Sequence, residues 1–112
     1  MADSADDIMK LVNEALAAFD KVSKDKSVDP AIKKKAFDHY EDVLLLAGQH
    51  VISEYEGRTA ILTGLIAELT DFTQTIQVEN PIVGQVAQAT AFMSLVGKAR
   101  VLFDSEKAAK EG

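Results

Sequence analysis

Apolar residues recur at steps of three and four along nearly the whole chain. The first run contains seven of them: Ile8, Leu11, Val12, Ala15, Leu16, Phe19 and Val22. Because an α-helix has 3.6 residues per turn, this spacing places all of these side chains on one helical face. No run of alternating apolar and polar residues, which would indicate a strand, competes with this pattern. We therefore predict an all-α protein.

The helix starts are marked by capping residues. Ser4 is a good N-cap, and each of the pairs Asp29-Pro30 and Asn80-Pro81 combines an N-cap residue with a proline. Proline at the first helical position sacrifices no hydrogen bond, because that N–H has no partner within the helix. With the apolar runs, these signals predict helices over residues 4–23, 30–55, 58–78 and 81–108.

The boundary between the second and third helices rests on Gly57. Glycine commonly ends a helix in the left-handed conformation, and Glu54 and Arg58 would fall on the core side of an unbroken helix. One glycine costs only about 1 kcal/mol inside a helix, so one long kinked helix over residues 30–78 is the alternative. We favour the break, which gives an antiparallel four-helix bundle in a single domain of residues 1–112.

The second helix carries a broad apolar stripe that we assign to the core. The stripe comprises Ile32, Ala36, Phe37, Tyr40, Val43, Leu44, Ala47, Val51 and Tyr55. Leu45 and Ile52 point away from this stripe, and such an outward pair is either scattered surface or a second contact.

Composition limits the classes of function. The chain has 112 residues, 18 acidic and 12 basic, with a net charge of −6. This balance argues against nucleic acid as a partner, because phosphate contacts need a basic face. The chain has no cysteine, which excludes disulfides and thiolate chemistry. The first ten residues lack the basic start and apolar run of a secretory signal, so we expect a cytoplasmic protein.

No charged residue occurs from Asn80 to Gly97, although 27% of the chain is charged. Interspersed polar residues argue against a membrane span. Placed on a helix, this region forms two apolar strips separated by about 130°. We assign the first strip to the core: Ile82, Val86, Ala89, Met93 and Val96. The second strip contains Gln88, Phe92, Leu95, Ala99 and Leu102.

A helix that is apolar on two faces must be buried on more than one side. We expect the second strip to contact another copy of the chain, because a two-fold dimer is the commonest oligomer. The predicted interface comprises Gln88, Phe92, Leu95, Ala99 and Leu102, with Leu45 and Ile52 as possible additions. The alternatives are that this helix is simply the most central one, or that it contacts another protein or an apolar ligand.

No arrangement of residues indicates catalysis. His39 with Asp42, and His50 with Glu54, each supply two metal ligands on one helical face, and two ligands are too few for a structural zinc site. Neither a phosphate-binding loop nor a nucleophile motif is present. We expect no catalytic residue, no cofactor and no metal.

The function predicted from sequence is that of a non-enzymatic, self-associating helical protein with an interaction, adaptor or chaperone-like role. The alternative is a protein that binds an apolar small molecule or lipid between its third and fourth helices. Phe92, Met93 and Ile66 would line such a cavity.

Overall fold

Four helices make up most of the computed structural model, which describes residues 4–79 and 83–111, with side-chain environments over 5–77 and 89–109. In chain order they are α1 (Ser4–Ser23), α2 (Pro30–Gln49), α3 (Tyr55–Glu79) and α4 (Val83–Glu111). Each helix packs against its neighbour in the chain, and α4 closes the bundle by packing against α1. The described residues contain no strand. The predicted all-α four-helix bundle is confirmed.

The start of α2 follows the capping chemistry read from the sequence. Asp29 is the N-cap, and its Oδ1 accepts a hydrogen bond from the Ala31 N–H at 2.9 Å. Pro30 occupies the first helical position. This start is therefore confirmed, whereas the Asn80-Pro81 pair lies outside the described residues.

Replacing this N-cap is expected to destabilise the protein modestly. Asp29→Ala removes the acceptor for the Ala31 N–H and should lower the free energy of unfolding by about 1 kcal/mol in urea denaturation. Asp29→Asn is the matched control, because asparagine is an equally good N-cap and should retain most of the stability. Equal losses in both variants would show that the cap hydrogen bond is not responsible.

The break between α2 and α3 is confirmed, but it lies earlier than predicted. α2 ends at Gln49, and His50 is extended, with φ −119° and ψ 145°. α3 begins at Tyr55, which places Gly57 inside its first turn. No described glycine has a positive φ, so the prediction of a left-handed cap at Gly57 is wrong. Gly57 instead permits close approach to Val51, because an added Cβ would overlap the Val51 carbonyl oxygen.

The centre of the bundle is a layer of four aromatic rings, one from each helix. Phe19 of α1, His39 of α2, Phe72 of α3 and Phe92 of α4 have ring centroids 4.9–5.5 Å apart in the five pairs that touch. We call these residues the aromatic layer. Phe19 contacts the three other rings, in stacked, tilted and edge-on arrangements, which are geometries that aromatic pairs prefer.

The two faces of α4 are oriented differently from the prediction. Phe92, from the predicted interface strip, is 1% exposed, because its ring completes the aromatic layer. Met93, from the predicted core strip, is 52% exposed, and Val96 is only partly buried. Ala89 is buried as predicted. Phe92 packs against Phe19 of α1 and Phe72 of α3, so its face of α4 turns inward and the neighbouring strip turns partly to solvent.

A partly buried ion pair joins the start of α3 to the end of α4. The Arg58 Nη1 atom lies 3.5 Å from Oε1 of Glu106, whose side chain is almost fully buried. Arg58 also donates from Nη2 to the Ser53 carbonyl oxygen at 2.8 Å. The ion pair therefore connects α4 both to α3 and to the turn that precedes it.

Candidate functional site

Exposed apolar side chains concentrate on α2 and the turn that follows it. Among the described residues seven large apolar side chains are exposed, and four of these fall between residues 37 and 51. We call these four the α2 patch: Phe37, Leu44, Leu45 and Val51. Phe37 and Leu44 are seven residues apart, so they lie on the same side of α2, about 10 Å from each other along the helix axis.

The α2 patch corrects the sequence assignment of this helix. Phe37, Leu44 and Val51 were expected in the core, but their exposed fractions are 51%, 46% and 56%. The fully buried residues of α2 are Ile32, Ala36 and Val43. Tyr40, Leu46 and Ala47 are partly buried and also pack against the core. The large apolar residues of α2 that remain exposed are Phe37, Leu44 and Leu45.

Gly48 is an exposed glycine of α2 that lies close to the α2 patch. It is exposed, and a Cβ added to it would meet no atom within 4 Å. Another helix can therefore approach the backbone of α2 closely at this point, one turn after Leu44.

The residues of the predicted interface do not share one surface. Phe92, Leu95 and Ala99 are buried within this single chain, at 1%, 7% and 0% exposure. Leu102 and Ile52 are partly buried and pack against the core. Leu45 is 61% exposed and belongs to the α2 patch, whereas the side chain of Gln88 lies outside the described residues. Of the predicted set, Leu45 is the most accessible of the residues that the structure describes.

His39 joins the aromatic layer to a group of carboxylates on α3. Its ring packs against Phe19 and Phe72, with centroids 5.5 Å away in each case, and its side chain is 12% exposed. Its Nδ1 atom lies 3.0 Å from Glu68 Oε1, and its Nε2 atom lies 3.3 Å from Asp71 Oδ2. Both ring nitrogens therefore face carboxylates, which hold the imidazole in one orientation.

Asp42 completes this group from the next turn of α2. Donor atoms of His39, Asp42 and Glu68 lie within 4.8 Å of one another, and we call these residues together with Asp71 the His39 cluster. Burial raises the pKa of the Glu68 carboxyl above its ordinary value. The hydrogen bond with His39 lowers this pKa in part, and the hydrogen bond with Asp42 raises it again. The cluster therefore gathers three carboxyl groups around one imidazole.

Sequence spacing places two members of this cluster on one helical face, but it predicts no metal site there. His39 and Asp42 were paired because they are three residues apart on one helix, but Glu68 lies 29 residues from His39, on α3. The second pair, His50 with Glu54, was also expected on one helical face. That expectation is wrong, because α2 ends at Gln49 and α3 begins at Tyr55, so neither residue lies in a helix.

Among the described residues, neither of two grooves between α3 and α4 is lined by Phe92, Met93 and Ile66 together. Phe92 lies in the core, whereas Met93 lines an open groove of about 350 Å³ between α3 and α4. Thr73 and Gln77 also line this groove. Ile66 lines a separate groove of about 330 Å³. The three residues therefore do not surround one ligand.

A larger groove, of about 600 Å³, lies between α1 and α4. Leu11, Val101 and Leu102 provide its apolar surface. Glu14 and Lys98 lie at its edge and form an ion pair at 3.4 Å between the two helices.

No family model, curated protein or solved structure matches this chain. Within residues 4–79 and 83–111, no helix combines the length and apolar character needed to cross a membrane.

Proposed function

We propose that this protein is a non-enzymatic interaction module that self-associates through the α2 patch. The observation that carries the proposal is the concentration of exposed apolar side chains between Phe37 and Val51. Monomeric proteins rarely expose large contiguous apolar surfaces, and such surfaces are typical of binding sites. We retain the predicted self-association, but we propose that the interface lies on α2 and not mainly on α4.

A second copy of the chain is the partner that fits this surface. In a two-fold dimer the same patch is used by both copies, so Leu44 and Leu45 would be buried against the equivalent residues. Gly48 presents no side chain at this surface, and the space where its Cβ would lie is open, which favours close approach of the two α2 helices.

The charges at the two ends of the patch favour an antiparallel arrangement. Lys34 is exposed near the start of α2, and Glu54 is exposed just beyond its end. An antiparallel second copy brings Lys34 of one copy towards Glu54 of the other. Such complementarity selects the register and orientation of association more than it adds affinity.

Leu45→Glu is expected to convert the dimer to a monomer. The change replaces an apolar side chain of the proposed interface with a carboxylate, which should weaken association by about 100-fold or more. Leu45 is 61% exposed in the single chain, so the fold should be unaffected. The molar mass measured by light scattering, at the concentration at which the wild type is dimeric, tests this expectation.

Val101→Glu is the matched control on the other candidate helix. Val101 is 68% exposed on α4, so the same charge is introduced at a comparable position outside the α2 patch. We expect this variant to retain the dimer mass. The proposal would be contradicted if the wild type is monomeric, or if Val101→Glu dissociates the dimer while Leu45→Glu does not.

An apolar ligand between α3 and α4 has less support than self-association. Phe92 and Ile66 do not line the groove that contains Met93, so the three residues do not form one site. Ligand sites enclose most of the ligand surface, whereas this groove is open.

A further inference from the structure

We propose that His39, Asp42 and Glu68 form a binding site for a divalent transition-metal ion, with Zn²⁺ as the best fit. The two helices α2 and α3 bring one imidazole and two carboxylates together, with donor atoms within 4.8 Å of one another. This site is separate from the self-association proposed above and does not depend on it.

The distances within the cluster are close to those of a coordination sphere. Zn²⁺ binds imidazole nitrogen and carboxylate oxygen at about 2.0–2.2 Å, so tetrahedral ligand atoms lie roughly 3.3 Å from each other. His39 Nδ1 and Glu68 Oε1 are already 3.0 Å apart. Asp42 is exposed, so its side chain can rotate to close the remaining distance without movement of the helices.

Asp71 has a different part in this arrangement. Its Oδ2 atom lies 3.3 Å from His39 Nε2, on the opposite side of the ring from Glu68. Histidines that bind metals usually donate their second ring N–H to a carboxylate, which fixes the tautomer and the ring orientation. Asp71 is thus a positioning residue, and packing against Phe19 and Phe72 restricts the imidazole further.

The chemistry of the donor set selects the kind of ion. An imidazole ligand suits Zn²⁺ and related transition metals, whereas Mg²⁺ and Ca²⁺ prefer oxygen ligands alone. Three carboxylates surround one imidazole here, and a divalent cation would neutralise charge that the single histidine leaves uncompensated. Three protein ligands leave a fourth position for water, on the exposed side next to Asp42.

Isothermal titration of the full chain with ZnCl₂ near neutral pH tests the site. We expect one ion per chain, reversal by a chelator, and no comparable binding of MgCl₂. Asp42→Asn and Glu68→Gln should each weaken Zn²⁺ binding by about 10-fold or more, and Asp71→Asn should weaken it by a smaller factor. Asp42 is exposed, so Asp42→Asn keeps the test valid if substitutions nearer the core disturb folding.

Two matched controls separate this site from adventitious binding. Glu41→Gln alters an exposed carboxylate of α2 outside the cluster, and His50→Gln removes the other histidine of the chain. Both variants should bind Zn²⁺ within about 2-fold of the wild type, because neither residue supplies a ligand. The proposal is overturned if the wild type does not bind Zn²⁺, if His50→Gln abolishes binding, or if Asp42→Asn and Glu68→Gln both bind normally.

Discussion

Phe19→Ala is expected to lower the free energy of unfolding by about 3–5 kcal/mol, the usual cost of removing a large buried ring. Phe19 is fully buried and contacts the other three rings of the aromatic layer. Its removal leaves a cavity where the four helices meet, and the surrounding rings can fill it only in part. Domains of this size are stable by only about 5–15 kcal/mol, so the loss is a large share of the total.

Urea denaturation followed by circular dichroism measures this loss. Phe37→Ala is the matched control, because the same ring is removed from a side chain that is 51% exposed. In dilute protein this control should lose less than about 1 kcal/mol. Similar losses for the two variants would contradict the central position assigned to Phe19.

Gly57→Ala is expected to destabilise the protein by about 2–3 kcal/mol, although alanine is the better helix former. The new Cβ would overlap the Val51 carbonyl oxygen and lie 2.7 Å from the carbonyl carbon. Both of these atoms belong to the backbone of the turn between α2 and α3. The overlap can therefore be relieved only by moving that turn relative to α3.

Gly97→Ala is the control for this substitution. Gly97 also lies within a helix, but an added Cβ there meets no atom within 4 Å. Alanine at position 97 should therefore stabilise the protein by about 0.5–1 kcal/mol through helix propensity. Thermal unfolding of both variants should show opposite shifts in Tm, and a stabilising effect of Gly57→Ala would contradict the close approach at Val51.

Much of the fold follows from local chemistry in the sequence. The first helix was predicted with its observed bounds, and the start of α2 was predicted from Asp29-Pro30, because capping depends on neighbouring residues alone. The inward face of α4 was not predicted. Phe92 and Met93 belong to strips of similar apolar character, and only the rings supplied by the other helices determine which strip is buried.

The candidate sites depend on contacts between helices, which explains why the sequence revealed only part of them. Glu68 and Asp71 meet His39 because α2 packs against α3, and no spacing rule within one helix identifies such neighbours. The exposure of Phe37 and Leu44 likewise depends on how much apolar surface α1 and α3 can cover. Periodicity places these apolar residues on one helical face, but it does not distinguish a face that packs in the core from a face that binds a partner.

The most direct test of self-association through the α2 patch is a crosslinking comparison between two single-cysteine variants. The chain has no cysteine, so Gln49→Cys, next to Gly48 on α2, and Gly97→Cys each introduce one reactive thiol at an exposed position. A short bifunctional maleimide should link Gln49→Cys into covalent dimers at least about 10-fold faster than Gly97→Cys, because association raises the effective concentration of the second thiol. Equal rates, or faster crosslinking of Gly97→Cys on α4, would contradict the proposed interface.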